Sequence, residues 1–246
     1  MARSSLPVSL SAIDEERFGV RTARASQVTS EQLPGVLEFC QANGIKFLIA
    51  RCSVSELGVA QSMEKAGFFL MDTLLYFARD LVKTPIPADK GEFIVRPIHA
   101  GENAQVSAIA SLSFRDYLGH YHADPRLERN LCDEAYISWA VHSCASREVA
   151  DEVLVAVDGE IILGFATLRF NSEQEGEGVL FGVDPQAQGR GIYRSFMVRA
   201  MEWFLAQGRT RMLVSTQITN FAVQRVWTRV GFELSHACYT FHRWFD

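Results

Sequence analysis

VDPQAQGRGIYRSFM, residues 183–197, lies between an apolar run at Gly178–Val183 and an amphipathic helical pattern at Arg190–Gln207. Strand, glycine-bearing turn and helix in that order make an anion site. Small residues at Gly189 and Gly191 let successive backbone N–H groups turn toward a diphosphate, and the first helical turn adds its dipole. A dinucleotide-binding unit would need G-x-G-x-x-G after its first strand and an acid after the second, and a phosphate-binding Walker loop would need its lysine. Neither pattern is met, so the stretch points to a phosphate-bearing cofactor in some other α/β fold.

Working outward, Arg211–Gln217 reads as a strand, Phe221–Val230 as a helix closed by Gly231, and Phe232–Trp244 as a last strand. Upstream, Val153–Val157 and Ile161–Phe170 flank Asp158-Gly159, a strong hairpin signal. Gln105–Phe114 and Glu134–Cys144 read as helices, and Phe93–Ile98 as a strand. The stretch Lys83–Glu92 carries two prolines and a glycine and can continue neither a helix nor a central strand. Before it come helical patterns at Glu31–Asn43 and Glu56–Ala66 and strands at Lys46–Cys52 and Phe68–Leu81. The expected layout is a half-domain at 1–83, a linker at 84–91 and a larger α/β domain with a mixed sheet at 92–246.

The two parts echo each other. Gly44–Phe68 aligns without a gap on Gly208–Phe232, so that Gly44 meets Gly208 and Gly67 meets Gly231, with Phe77 meeting Phe241 further on. The match predicts two related halves. The first copy has no glycine-rich loop before its helix, and is expected to lack a cofactor site.

Gln186-Ala187-Gln188-Gly189-Arg190-Gly191 resembles the [Q/R]-x-x-G-x-[G/A] signature of the GNAT superfamily of acetyltransferases. The resemblance extends through the A-V-D-G-E-I-I-L-G-F hairpin, Asn220 and Gly231-Phe232, from Phe93 to Trp244. It implies a GNAT fold in the C-terminal part beside a degenerate GNAT-like N-terminal half, with acetyl-CoA as cosubstrate. It also implies that the sheet splits after Gly178–Val183. Phe181, Val183, Gln188, Gly189, Arg190, Gly191, Tyr193, Arg194, Asn220 and Trp227 would then contact the cofactor, Asn220 holding the pantetheine. A narrower resemblance is to dTDP-fucosamine acetyltransferases, carried by Arg17-Phe18-Gly19-Val20, by Phe114–Trp139 and by Thr216-Gln217-x-x-Asn220-x-Ala222. It implies an acceptor amine on a dTDP- or UDP-linked amino sugar, with His120, Tyr121, His122 and Asp124 touching it. Many members carry a tyrosine seven residues after the asparagine as the general acid; Trp227 stands there instead, and an indole N–H donates a hydrogen bond but gives up no proton.

For proton transfer, Glu177, six residues before Val183, resembles a family base, and Tyr193 and Tyr239 are phenols assigned to the same cleft, Tyr239 being the catalytic candidate. A thiol is acidic enough that departure of the thiolate can proceed with hydrogen bonding alone. Other small amines, peptide amines and a module that only binds acetyl-CoA stay open as alternatives.

The remaining composition excludes several classes. The chain has 246 residues, 48% hydrophobic and 22% charged, with 24 basic against 29 acidic residues and no long block of either sign, which speaks against nucleic acid as a partner. No apolar leader stands in Met1–Asp14 and no run is long enough to span a membrane, so a cytoplasmic protein is expected. Five scattered cysteines suit a reducing compartment and offer no paired spacing for a metal. The aromatic final stretch CYTFHRWF, 238–245, reads as an edge strand on which a homodimer could pair.

Overall fold

A computed structural model describes residues 6–115 and 117–245. Expectations that fall on Met1–Ser5, Asp116 and Asp246 lie outside the described residues. Two compact units are present, one of Met1–Leu75, Leu118–Cys132 and His236–Asp246, the other of Tyr76–Tyr117 and Asp133–Ser235.

The elements run β1 (Val8–Leu10), α1 (Ala12–Phe18), β2 (Thr22–Ala25), α2 (Leu33–Ala42), β3 (Phe47–Ser53), α3 (Leu57–Lys65), β4 (Phe69–Asp80), β5 (Ile94–Pro97), α4 (Asn103–Ser113), α5 (Arg129–Ala145), β6 (Glu152–Asp158), β7 (Ile161–Phe170), β8 (Glu175–Val183), α6 (Ile192–Ala206), β9 (Arg211–Gln217), α7 (Phe221–Arg229) and β10 (Glu233–Trp244). This is a mixed α/β fold. From β5 onward the order is the one read from the sequence. The first three elements escaped that reading.

In the first unit the strand order is β1-β2-β3-β10, β2 pairing parallel and β10 antiparallel to β3. Val36, Cys40, Leu48, Ala50, Cys52, Val59, Met63 and Phe241 form its core. In the second unit the order is β9-β8-β7-β6-β5, with β8–β9 parallel and the other pairs antiparallel. Gly159, at φ 61°, makes the β6–β7 turn that Asp158-Gly159 announces. Phe165, Phe196, Met197, Phe204, Met212 and Trp227 are among its fully buried side chains. A Cβ at Gly176 would collide with the Phe204 ring, so the glycine is what lets α6 approach β8.

Every element of the aligned repeat coincides. β3 and β9, α3 and α7, and β4 and β10 begin and end at matched positions, and α2 and α6 end together at Ala42 and Ala206. The turns repeat too. Phe68 N–H bonds Met63 O at 3.0 Å and Phe232 N–H bonds Trp227 O at 2.9 Å, each beyond a glycine of positive φ. The long strands also trade places: β4 passes from the first unit into the second between Leu75 and Tyr76, and β10 from the second into the first between Ser235 and His236. Leu81 N–H bonds Thr210 O (2.8 Å), and at the equivalent place Phe245 N–H bonds Lys46 O (2.9 Å).

This exchange corrects two expectations. Cys238–Trp244 is paired along its length with Ser53–Phe47, and β10 stands between β3 and β4 in the strand order, so it belongs to an interior strand and not to the edge on which a homodimer was expected to pair. Tyr239 pairs with Cys52 and packs on the first unit's core.

None of the five cysteines is in a disulfide, and burial pushes the thiols of Cys40, Cys52 and Cys144 up to about 11, which keeps them protonated and inert. Among the described residues no helix is long and apolar enough to cross a membrane, and no group of three or more His, Cys, Asp or Glu could hold a metal.

Candidate active site

The parallel pairing of β8 with β9 ends at Gly178–Val214, although β8 continues to Val183 and β9 to Gln217. The two strands part. Opposite, on β7, the register slips between Thr167 and Leu168, leaving Val179 as a bulge, and Leu180 N–H turns to Thr167 Oγ1 at 3.0 Å. Among the described residues no ladder pair joins Val179–Val183 to Ser215–Gln217, so peptide groups on that side of β8 are available to a ligand. The Val183 carbonyl accepts from Ser113 Oγ (3.0 Å), and at the far side Tyr117 O–H donates to Gln217 Oε1.

The first unit shows the same construction closed. There β2 and β3 pair from Thr22–Phe47 to Ala25–Ala50, the equivalent register. Beyond it Gln27 takes a left-handed φ of 53° and Val28 N–H bonds Arg51 O at 2.9 Å. The chain's own backbone fills the gap that β8 and β9 leave open.

Past β8, Asp184 caps a short 3₁₀ turn by accepting from Gln186 N–H (2.8 Å), and Gly189 and Gly191 follow at φ 79° and 86°. A Cβ at either glycine would meet nothing within 4 Å, so it is the dihedral angle that demands glycine, and the loop backbone faces open space. Ser195 N–H to Gly191 O, 3.0 Å, is an early bond of α6; the N–H groups of its first turn have no partner within the helix. An open cavity of about 610 Å³ lies here, lined by Lys90, Gly91, Glu92, Gly189, Arg190, Gly191, Arg194 and Ser195. Arg190 lies over the Phe93 ring at 4.5 Å and reaches Asp158 at 3.6 Å; Arg194 donates to Ala88 O at 3.0 Å. Gln188 Nε2 is 3.5 Å from Val183 O. These features fit a coenzyme with a diphosphate and an amide-bearing arm: free amides at a helix start, cations around them, and unpaired strand edges beyond.

Phe181 packs against Tyr193 at 5.3 Å, and Trp227 Nε1–H donates to Tyr193 Oη at 3.1 Å. Trp227 also lies against Phe77 at 5.4 Å, 2% exposed. Burial raises the Tyr193 phenol well above its ordinary range, so at neutral pH it stays a hydroxyl. Asn220 caps α7 by accepting from Val223 N–H (3.4 Å) and donates to Thr216 Oγ1 (3.0 Å). Glu177 is ion-paired with Arg169 at 2.7 Å.

His120, Tyr121 and Asp124 belong to the first unit and are buried, at 6, 5 and 3% exposure. Trp244 Nε1–H donates to Asp124 (2.9 Å), His242 Nδ1 meets the same carboxylate (2.8 Å), and His120 Nδ1 meets His242 Nε2 (2.9 Å). Tyr121 O–H donates to Asp14 (2.7 Å), which also pairs with Arg24. The expectation of an exposed loop cluster is therefore corrected, since these polar groups are spent on one another. His122, half-buried, accepts from Gly119 N–H at 3.3 Å. Sequence reading missed Lys90, Glu92 and Ser195; only their place in the linker and on the helix could have pointed to them.

A parallel strand pair that opens beside a glycine loop at a helix start is an arrangement that suits a phosphate-bearing coenzyme with an extended arm. The model of the acetyltransferase (GNAT) family matches residues 107–232, and the chain belongs to that family. It is similar to the spore coat polysaccharide biosynthesis protein SpsD of Bacillus subtilis, 23% identical over 209 residues, covering 83% of this chain and 68% of that protein. It is also similar to a mycothiol acetyltransferase of Beutenbergia cavernae, 26% identical over 184 residues, 71% of this chain and 60% of that one. Against other mycothiol acetyltransferases the match spans about a quarter of their length. In structure it resembles a GCN5-related N-acetyltransferase from Sphaerobacter thermophilus, with TM-score 0.68 and 13% identity over 96% of this chain and 76% of that one. By family the protein is an acyltransferase.

Proposed function

We propose that the second unit transfers the acetyl group of acetyl-CoA directly to a primary amine, and that the amine belongs to a nucleotide-linked amino sugar. The observation that carries the transfer is the parting of β8 from β9 next to the Gly189–Gly191 loop. Bound there, the coenzyme supplies a thioester, an acyl donor that an unprotonated amine can attack.

The chain's own groups would then act as follows. The loop amides and the start of α6 hold the diphosphate, with Arg190 and Arg194 screening its charge. Peptide groups of Val179–Val183 hold the amides of the arm, and Asn220 and Thr216 bound its far side. Orientation is the main contribution, since bringing amine and thioester together in line removes much of the entropic barrier. Glu177, positioned by its 2.7 Å contact with Arg169, accepts the ammonium proton through water. Tyr193 Oη accepts from Trp227 and so keeps its own hydrogen to offer the departing sulfur as a hydrogen bond, in place of the acid that Trp227 cannot be.

The amino-sugar acceptor is supported by the two-half layout and by the polysaccharide role in the name of the Bacillus subtilis relative. The test is calorimetric titration with acetyl-CoA, then an amine screen that includes dTDP- and UDP-linked amino sugars and peptides. Micromolar binding lost in Gly191→Glu, with turnover on an amino sugar, is expected. Activity on peptides alone would remove the sugar acceptor, and no binding would remove the transferase reading.

A further inference from the structure

The connection between β4 and β5 is fastened to the cofactor helix. Asp89 accepts from Ser195 Oγ (2.8 Å) and from Gly91 N–H (3.0 Å), and its carboxylate lies 3.5 Å from Arg199 Nε and 3.9 Å from Arg194. Arg194 donates back to Ala88 O at 3.0 Å. Gly91 sits so close to α6 that a Cβ there would collide with Ser195 Oγ. The residues on either side of Lys90 are thus pinned, while Lys90 itself lines the 610 Å³ cavity together with Gly189, Arg190 and Gly191.

The cations of that cavity are not alike. Arg194 is engaged with the connection, and Arg190 with Phe93 and Asp158. Among the described residues no ion pair or hydrogen bond occupies the Lys90 ammonium, and the other charge in the lining, Glu92, is solvent-exposed. The loop amides already suit a diphosphate. A further cation in the same lining, contributed by the connection rather than the loop, suits a separate phosphate, and coenzyme A carries one on its ribose 3′ oxygen.

We propose that Ala88–Glu92 forms the outer wall of the coenzyme site, and that Lys90 binds the 3′-phosphate and makes the protein selective for coenzyme A over its 3′-dephospho form. The inference rests on the function proposed above. Lys90 is exposed, so substituting it leaves folding intact.

The experiment titrates the full chain, as wild type, Lys90→Ala and Lys90→Arg, with acetyl-CoA and with 3′-dephospho-acetyl-CoA at two salt concentrations. The wild type should prefer acetyl-CoA by roughly tenfold, Lys90→Ala should cut that preference below about twofold without weakening the dephospho form, and Lys90→Arg should restore it. The preference should shrink as salt rises. Unchanged selectivity in Lys90→Ala, or equal weakening of both ligands, would overturn the role of Lys90 while leaving the transferase reading in place. Failure of the wild type to bind either ligand would overturn both.

Discussion

At the scale of single residues, the Asp124–His242–His120 chain has one consistent proton arrangement. His242 Nδ1–H donates to Asp124, leaving Nε2 to accept from His120 Nδ1–H, and both rings are neutral. Burial holds His120 well below its ordinary value and His242 lower as well, the latter against the pull of Asp124. A depressed folded-state value means that the unfolded chain takes up protons first, so this stability is complete above about pH 6.5 and is lost as pH falls below it. Unfolding free energy should decline by up to about 1.4 kcal/mol per pH unit for each histidine involved. Denaturant melts at pH 7 and pH 5 would show it, and His120→Asn should flatten the slope; a slope unchanged in that variant would assign the loss to other groups. The loop glycines make a contrasting case. Gly191→Ala should cost about 1–2 kcal/mol of local strain and at least tenfold in acetyl-CoA affinity, because only glycine holds φ 86° freely. A calorimetric titration of that variant at wild-type affinity would show that the loop does not hold the phosphates.

Among the secondary-structure elements, Arg79 shows what an exchanged strand contributes. From β4 its guanidinium donates to Val230 O, at the C-terminal end of α7, and to Pro85 O (2.8 Å) and Thr84 Oγ1 (3.1 Å), while the side chain is 5% exposed. It caps the helix that carries Trp227. Arg79→Leu would leave those carbonyls without a donor and should cost roughly 2–3 kcal/mol, a drop of about 4–12 °C in Tm for a chain of this size. The elements that could be read from the sequence were the ones long enough to show a period: Ile161–Phe170, Arg190–Gln207 and the Phe221–Val230 helix all stand within two residues of where the pattern puts them. By contrast β1 and β2 are three and four residues long and α1 only seven, too few for alternation or a helical stripe to emerge. The Gly189–Gly191 loop was legible because its chemistry is local. The spent state of His120, Tyr121 and Asp124 was not, because their partners Asp14, His242 and Trp244 are more than a hundred residues away in the chain.

For the whole molecule, the repeat was visible in sequence, but the exchange of its last strands was not, since either half could in principle keep its own. In the structure β10 ends in the first unit and β4 in the second. Phe77 lies against Trp227, Arg79 against Val230 and Leu81 against Thr210, all from a strand that precedes the linker. A domain cut at the linker therefore loses part of its own sheet. Residues 84–246 expressed alone should leave β9 with a bare edge and Trp227 without its aromatic neighbour, and should aggregate or bind the dye ANS as a loosely packed state. Inserting a protease site between Pro87 and Ala88 and cleaving the folded chain gives the complementary measurement. The pieces on either side of the cut each supply strand to both units, so they should co-elute on gel filtration and separate only in denaturant. Separation under native conditions, or a soluble, cooperatively melting 84–246 fragment, would show that each half folds on its own strand and that the exchange does not hold the protein together.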